Sequence, residues 1–155
     1  YVPEYIEDES RLCELLGVEC GSGDLQPLGI LIGAVDNNRS RVMCNNVFNM
    51  LDNIIYIDSG NGEFTGQVVC GIKRYGRVLS KPAARIYPDI LTDAEKFPSE
   101  LSCAERSISA PQSIAANVMA STAIVSMLYY LLIDGSLQST RIAFSTRKNL
   151  MKKIA

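Results

Sequence analysis

The chain has 155 residues, 47% hydrophobic and 21% charged, with a formal net charge of −2. That length is enough for one domain with a sizeable core, and the mildly acidic balance gives no reason to expect non-specific nucleic-acid binding, which requires a basic face. There is no histidine, which excludes histidine triads, histidine-ligated zinc and imidazole acid–base chemistry within these residues. The five cysteines, Cys13, Cys20, Cys44, Cys70 and Cys103, are odd in number and contain no Cys-x-x-Cys pair. With no signal peptide visible, they predict free thiols in a reducing, cytoplasmic setting.

In chain order, "YVPEYI" alternates as a short strand would, and "DESRLCELLG" follows as a helix. Asp8 or Ser10 is its N-cap, Leu12, Leu15 and Leu16 lie at helical spacing, and Gly17 is the stop. Leu28 to Val35 is a continuous apolar run, as expected of a strand buried on both faces of a parallel sheet. Asn38 to about Leu51 has helical periodicity, and "NIIYIDSG" is the next buried strand, so a βαβ unit runs from Leu28 to about Ser59. "TGQVVCGIKRYGRVL" reads as a bent or hairpin-paired strand. Residues 80–101 hold Pro82, Pro88 and Pro98 without a sustained period, predicting a long irregular connection. Ser113 to Ile133 is the longest periodic segment, apolar almost all round, with Gly135 as its stop. Its run from Val118 to Ile133 falls short of the roughly 20 apolar residues of a membrane span, which predicts a buried helix and no membrane partner. "TRIAFST" is a last strand, and "NLMKKIA" adds a short one. The sum is one α/β domain over 1–155, a Rossmann-like, mostly parallel sheet with late antiparallel strands and one long buried helix. Ligands in such sheets bind at the carboxyl ends of the strands.

Asp36 and Asn37 follow the first buried strand, where a carboxylate either faces the ligand crevice, suiting Mg²⁺ on nucleotide phosphates, or caps the next helix. Arg39 and Arg41 sit in that helix's first turn, against the macrodipole, which a bound anion would rationalise; a solvated surface pair is the plain alternative. Gly60, Gly62 and Gly66 fail the dinucleotide fingerprint because their spacing is wrong and a β-like run follows. They predict a turn between two strands, with glycine supplying positive φ. Cys103 precedes the long helix and is either a nucleophile activated by the helix dipole or Arg106, or a structural thiol. The basic cluster Arg147, Lys148, Lys152 and Lys153 reads as a solvated end.

Three segments together resemble the second half of the ThiF/MoeB-type adenylating fold of ubiquitin-activating enzymes. They are "IGAVDNNRSR", with an arginine five residues after the Asp; "IYIDSGNGEFTGQVVCG"; and "PSELSCAE" followed by the alanine-rich "SIAANVMASTAIVSMLYYLLIDG". The match runs from about Leu28 to Ala155 and is nearest the ThiF-type proteins of PRTRC systems. The resemblance implies an ATP- and Mg²⁺-dependent adenylyl transfer to the C-terminal carboxylate of a ubiquitin-like or sulfur-carrier protein, in a homodimer. It implies that Asp36 holds Mg²⁺, that Asn37 lines the nucleotide site, that Arg41 is the post-Asp arginine, and that Cys103 stands where some members carry an acceptor thiol. The family's glycine-rich ATP loop, ribose-binding acid and phosphate-contacting Arg and Lys have no counterpart here, nor do its Cys-x-x-Cys pairs, so no zinc is expected. The sequence therefore reads as the C-terminal part of an adenylating domain, inactive alone, or as a non-catalytic binding or scaffold module of the same fold. A nucleotide-dependent oxidoreductase half is a third reading, disfavoured by the missing dinucleotide fingerprint.

Overall fold

The structure, a computed structural model, describes residues 1–18, 27–92, 97, 100 and 113–154. Helix α1 (Glu9–Leu15) starts at Asp8, whose side chain accepts from the Arg11 amide, and ends before Gly17 at φ +67. The aspartate satisfies an orphan amide and the glycine takes the left-handed position, as expected for the two ends. Residues 1–6 form no strand. Their alternation finds no partner among the described residues.

Strands β1 (Gly29–Gly33) and β2 (Ile54–Asn61) pair in parallel, joined through helix α2 (Asn38–Met50). This is the expected βαβ unit. Strand β3 (Thr65–Arg74) then runs back antiparallel along the whole of β2. Strand β4 (Arg77–Ser80) folds onto the end of β3 through Tyr75 and Gly76, both at positive φ. Strands β5 (Arg141–Ser145) and β6 (Leu150–Lys153) complete the order β1-β2-β3-β5-β6, with β4 beside β5 against β3. The α/β class and the late antiparallel strands are as expected, but the sheet is mixed rather than mostly parallel. Among the described strands only β1 and β2 run parallel; the three-residue link from β2 to β3 is far too short for a crossover, which needs a dozen residues or more.

The glycines of that link correct a second expectation. None of Gly60, Gly62 and Gly66 lies at positive φ. Gly60 and Gly66 are inside the strands, and a Cβ at Gly66 would overlap the Phe144 ring on β5. Glycine stands there for close approach between strands, not for a turn conformation.

The part of 80–101 that is described is not structureless: it holds a single helical turn, α3 (Ala83–Ile86), and a 3₁₀ turn, Pro88–Leu91. They pack Ala83, Ala84 and Ile90 against Val69 and Val42. A close approach of backbone seats this segment, since a Cβ at Gly71 would meet Pro82 at 2.9 Å.

Two apolar layers flank the sheet. Helices α1 and α2 cover one face around Val47, Phe48, Leu51, Ile54 and Tyr56. Helix α4 (Ile114–Ile133), capped by Ser113 and stopped before Gly135 at φ +64, covers the other around Ile57, Val68, Cys70 and Phe144. Helix α4 corrects a third expectation. It is 20 residues long with a mean hydropathy of 1.6, enough by length and composition to cross a membrane, yet only 28% of that window is buried. Ala116, Ala120, Ala123, Ile124 and Met127 face the sheet, while Val118, Val125, Tyr129 and Leu132 are exposed on the opposite side. A helix apolar all round has no polar stripe to mark which side meets solvent, so the sequence suggested full burial.

Candidate functional site

The carboxyl end of β1 opens into a cleft of about 600 Å³ between α2 and the N-terminal segment. Its wall includes Leu31, Gly33, Asp36, Asn37, Met43 and Cys44. Both Asp36 and Asn37 are thus where the sequence placed them, but their roles divide. Asn37, not Asp36, caps α2: its side chain accepts from the Ser40 amide at 2.8 Å and it donates to Asp36 Oδ1 at 3.2 Å. Asp36 is left exposed on the cleft wall. One exposed carboxylate there fits a Mg²⁺ carried by nucleotide phosphates, which needs one or two protein carboxylates and otherwise keeps its waters. Among the described residues no group of three or more Asp, Glu, Cys or His could form a protein-only metal cage.

Arg41 turns inward. One guanidinium nitrogen donates to the Val35 carbonyl at 2.7 Å and to the Ser59 carbonyl at 3.0 Å, tying the ends of β1 and β2 together. The other terminal nitrogen reaches Asn38 Oδ1 at 3.1 Å, and Nε lies 3.5 Å from Asp58 Oδ2. Asp58 is 4% exposed and accepts the Tyr56 hydroxyl on Oδ1 at 2.9 Å. Burial lifts the Asp58 pKa above its usual value, and Arg41 and Tyr56 pull back against that. The Tyr56 hydroxyl is raised above the usual phenol range by burial and then by the Asp58 charge. The Cys44 thiol, at the same cluster, is pushed up to about 11 by burial and then by Asp58.

Asp58 and Tyr56 are the site residues that sequence reasoning passed over. Their signal was a carboxylate inside an otherwise apolar strand, "NIIYIDSG", where an ion persists only if paired. The register explains the neighbouring glycine: Gly33 lies opposite Asp58, and a Cβ on it would meet Asp58 Oδ1 and the Tyr56 ring at 3.0 Å. Gly33 makes room for the pair. Arg39 lies over the Phe97 ring at 4.8 Å. Cys103 lies outside the described residues. The other cysteines that are described, Cys13, Cys44 and Cys70, are free and buried.

No protein-family model matches the sequence, and no curated protein matches it. Solved structures do. The crystal structure of PaaA, in selenomethionine form, superposes with a TM-score of 0.53 and 11% identity, covering 96% of this chain and 46% of its own. The fold is shared. At that identity the likeness extends to the fold alone, and this chain spans less than half the length of PaaA.

Proposed function

We propose that these residues form the metal-binding half of an ATP-dependent adenylyltransferase site that activates the C-terminal carboxylate of a ubiquitin-like or sulfur-carrier protein, in a homodimer. The observation that carries this reading is the exposed carboxylate of Asp36 just past the end of β1, on the wall of a cleft large enough for a nucleotide. Ligands of open α/β sheets bind at that position. Mg²⁺, when bound, neutralises charge on the phosphates, and Asp36 is the residue that would hold it. In the reaction a carboxylate oxygen of the carrier forms a bond to the α-phosphorus, the α–β phosphoanhydride bond breaks, and pyrophosphate leaves. Asn37 orients Asp36 by its side-chain hydrogen bond. Arg41 acts as a positioning residue, holding the two strand ends at a fixed separation, because its guanidinium is already engaged by protein oxygens.

That engagement also favours a second reading, a binding or scaffold module that keeps the cleft without turnover. Exchange of labelled pyrophosphate into ATP by the full protein, with candidate carriers, separates the two. Carrier- and Mg²⁺-dependent exchange is expected, and Asp36→Asn is expected to abolish it while leaving the melting temperature unchanged. ATP binding without exchange would favour the scaffold. Neither binding nor exchange, or full activity in Asp36→Asn, would overturn the adenylation reading.

A further inference from the structure

The edge of the sheet opposite the cleft is strongly basic. Residues 135–155 hold five Lys or Arg and no Asp or Glu, while the rest of the chain holds ten and 17. Arg147, Lys148, Lys152 and Lys153 are all exposed, in the β5–β6 turn and on β6. Among the described strands β6 pairs with β5 alone, so its other side is an open edge. Ile154 donates its amide to the Arg141 carbonyl at 2.9 Å, which fixes the alternation of the ladder. Leu150 and Lys152 turn their backbone groups to β5, and Met151 and Lys153 turn theirs outward. Beside that edge, on the face covered by α4, lies a groove of about 440 Å³ floored by Met127, Leu137, Ile142 and Met151. Its wall carries Lys152 and Lys153 against one acid, Asp134.

We infer that the β6 edge is a docking site for an extended, acidic segment of another protein, which adds a strand beside β6 and lays side chains over the groove. Main-chain hydrogen bonds to Met151 and Lys153 supply the affinity, and the side chains opposite supply the specificity. The pairing fixes what the strand must carry. Positions opposite Leu150 and Met151 are apolar and positions opposite Lys152 and Lys153 are Asp or Glu, since apolar and opposite-charge pairs across a ladder are the favourable ones. Successive residues alternate faces, so one apolar and one acidic side chain reach over the groove and the other two lie on the far face.

Lysine on an edge strand ordinarily serves to keep other sheets away. A single charge does that. Here basic residues run through the whole hairpin without an acid, beside an apolar groove that a blunted edge does not need. Nucleic acid is the competing polyanion. It binds along basic tracks lined with aromatic platforms, whereas the floor of this groove is aliphatic and thioether and the protein as a whole is acidic. The inference stands apart from the adenylation reading and shares no residue with the cleft.

Hydrogen exchange and fluorescence anisotropy on the full protein test it, with the labelled hexapeptide Thr-Val-Val-Glu-Glu-Thr and its reverse as probes. One of the two is expected to bind and to slow exchange at the Met151 and Lys153 amides by at least about tenfold. Lys152→Glu combined with Lys153→Glu is expected to weaken binding at least about tenfold and to favour the peptide with Lys in place of Glu. Both positions are exposed, so circular dichroism and melting temperature stay as in the parent. N-methylation of one alternate set of peptide amides abolishes binding and of the other set does not, since only one set faces β6. No binding of either peptide, binding indifferent to both N-methylations, or a tighter complex with a single-stranded DNA dodecamer would overturn the inference. So would Met151 and Lys153 amides already protected in the protein alone, because another part of the same chain then fills the edge. The two readings fail separately: absent pyrophosphate exchange leaves this site standing.

Discussion

Replacing Arg41 with methionine keeps most of the side chain's apolar length and removes its charge and every donor. The Val35 and Ser59 carbonyls lose the nitrogen that joins them, and Asp58 keeps only the Tyr56 hydroxyl. The side chains of the ion pair are 14% and 5% exposed, so water does little to screen the loss. Removing one partner of a buried pair costs about 3–5 kcal/mol. For a domain of this size that lowers the melting temperature by roughly 6–20 °C, at about 2–4 °C per kcal/mol. The effect has a sign in pH. Burial holds the Asp58 pKa above its usual value, so the protonated acid is the form the fold favours, and its contribution is lost as pH rises through the folded-state pKa. Without Arg41 that pKa rises further. The variant is therefore most damaged at neutral pH and recovers toward the parent as pH falls into the carboxylate range. Arg41→Met combined with Asp58→Asn should likewise be more stable at neutral pH than Arg41→Met alone, since no buried charge remains. Chemical denaturation at several pH values measures all of this. A loss under about 1 kcal/mol at pH 7, or a loss equal at every pH, would refute the reasoning, because an exposed or unpaired arginine behaves that way.

Two further outcomes follow from the packing. Gly66→Ala drives a methyl group into the Phe144 ring and the Asn61 side chain, and overpacking of this kind costs about 1–3 kcal/mol by denaturant melts, whereas Gly62→Ala, with nothing within 4 Å, stays within about 0.5 kcal/mol. If the two variants melt alike, the tight β3–β5 approach is wrong. Cys44 and Cys70, pushed up to about 11 and about 12, should resist iodoacetamide at pH 8 in the folded protein and react once it is unfolded; peptide mapping that finds either labelled under native conditions would contradict their burial.

Much of this architecture could be read from the residues. Helix ends were legible at Asp8, Gly17 and Gly135, because capping is local chemistry, while at α2 the cap fell one residue later than read, on Asn37 rather than Asp36. Strand direction was less so. The same apolar run suits a parallel or an antiparallel neighbour, and it is the short link between Asn61 and Thr65 that decides for β3. The cleft was legible in outline through Asp36, which ends an apolar run. The buried ion pair was not, since Arg41 on α2 and Asp58 on β2 are brought together only by tertiary packing. Nor could composition divide α4 into a sheet face of alanines and an outward face of larger side chains, both being apolar.

The order of strands in the sheet has a consequence for how the chain assembles. Strands β2, β3 and β4 are neighbours in sequence as well as in space, so their two antiparallel ladders close over short links at small entropic cost. Strand β5 reaches β3 only from the far side of α3, α4 and everything between. Its pairing closes the longest loop among the described strand pairs, and it follows the helix that covers the second face. The meander rests on local contacts, while α4 and the β5–β6 hairpin, which cover Ile57, Val68 and Cys70, are held by contacts distant in sequence, the kind that slow folding.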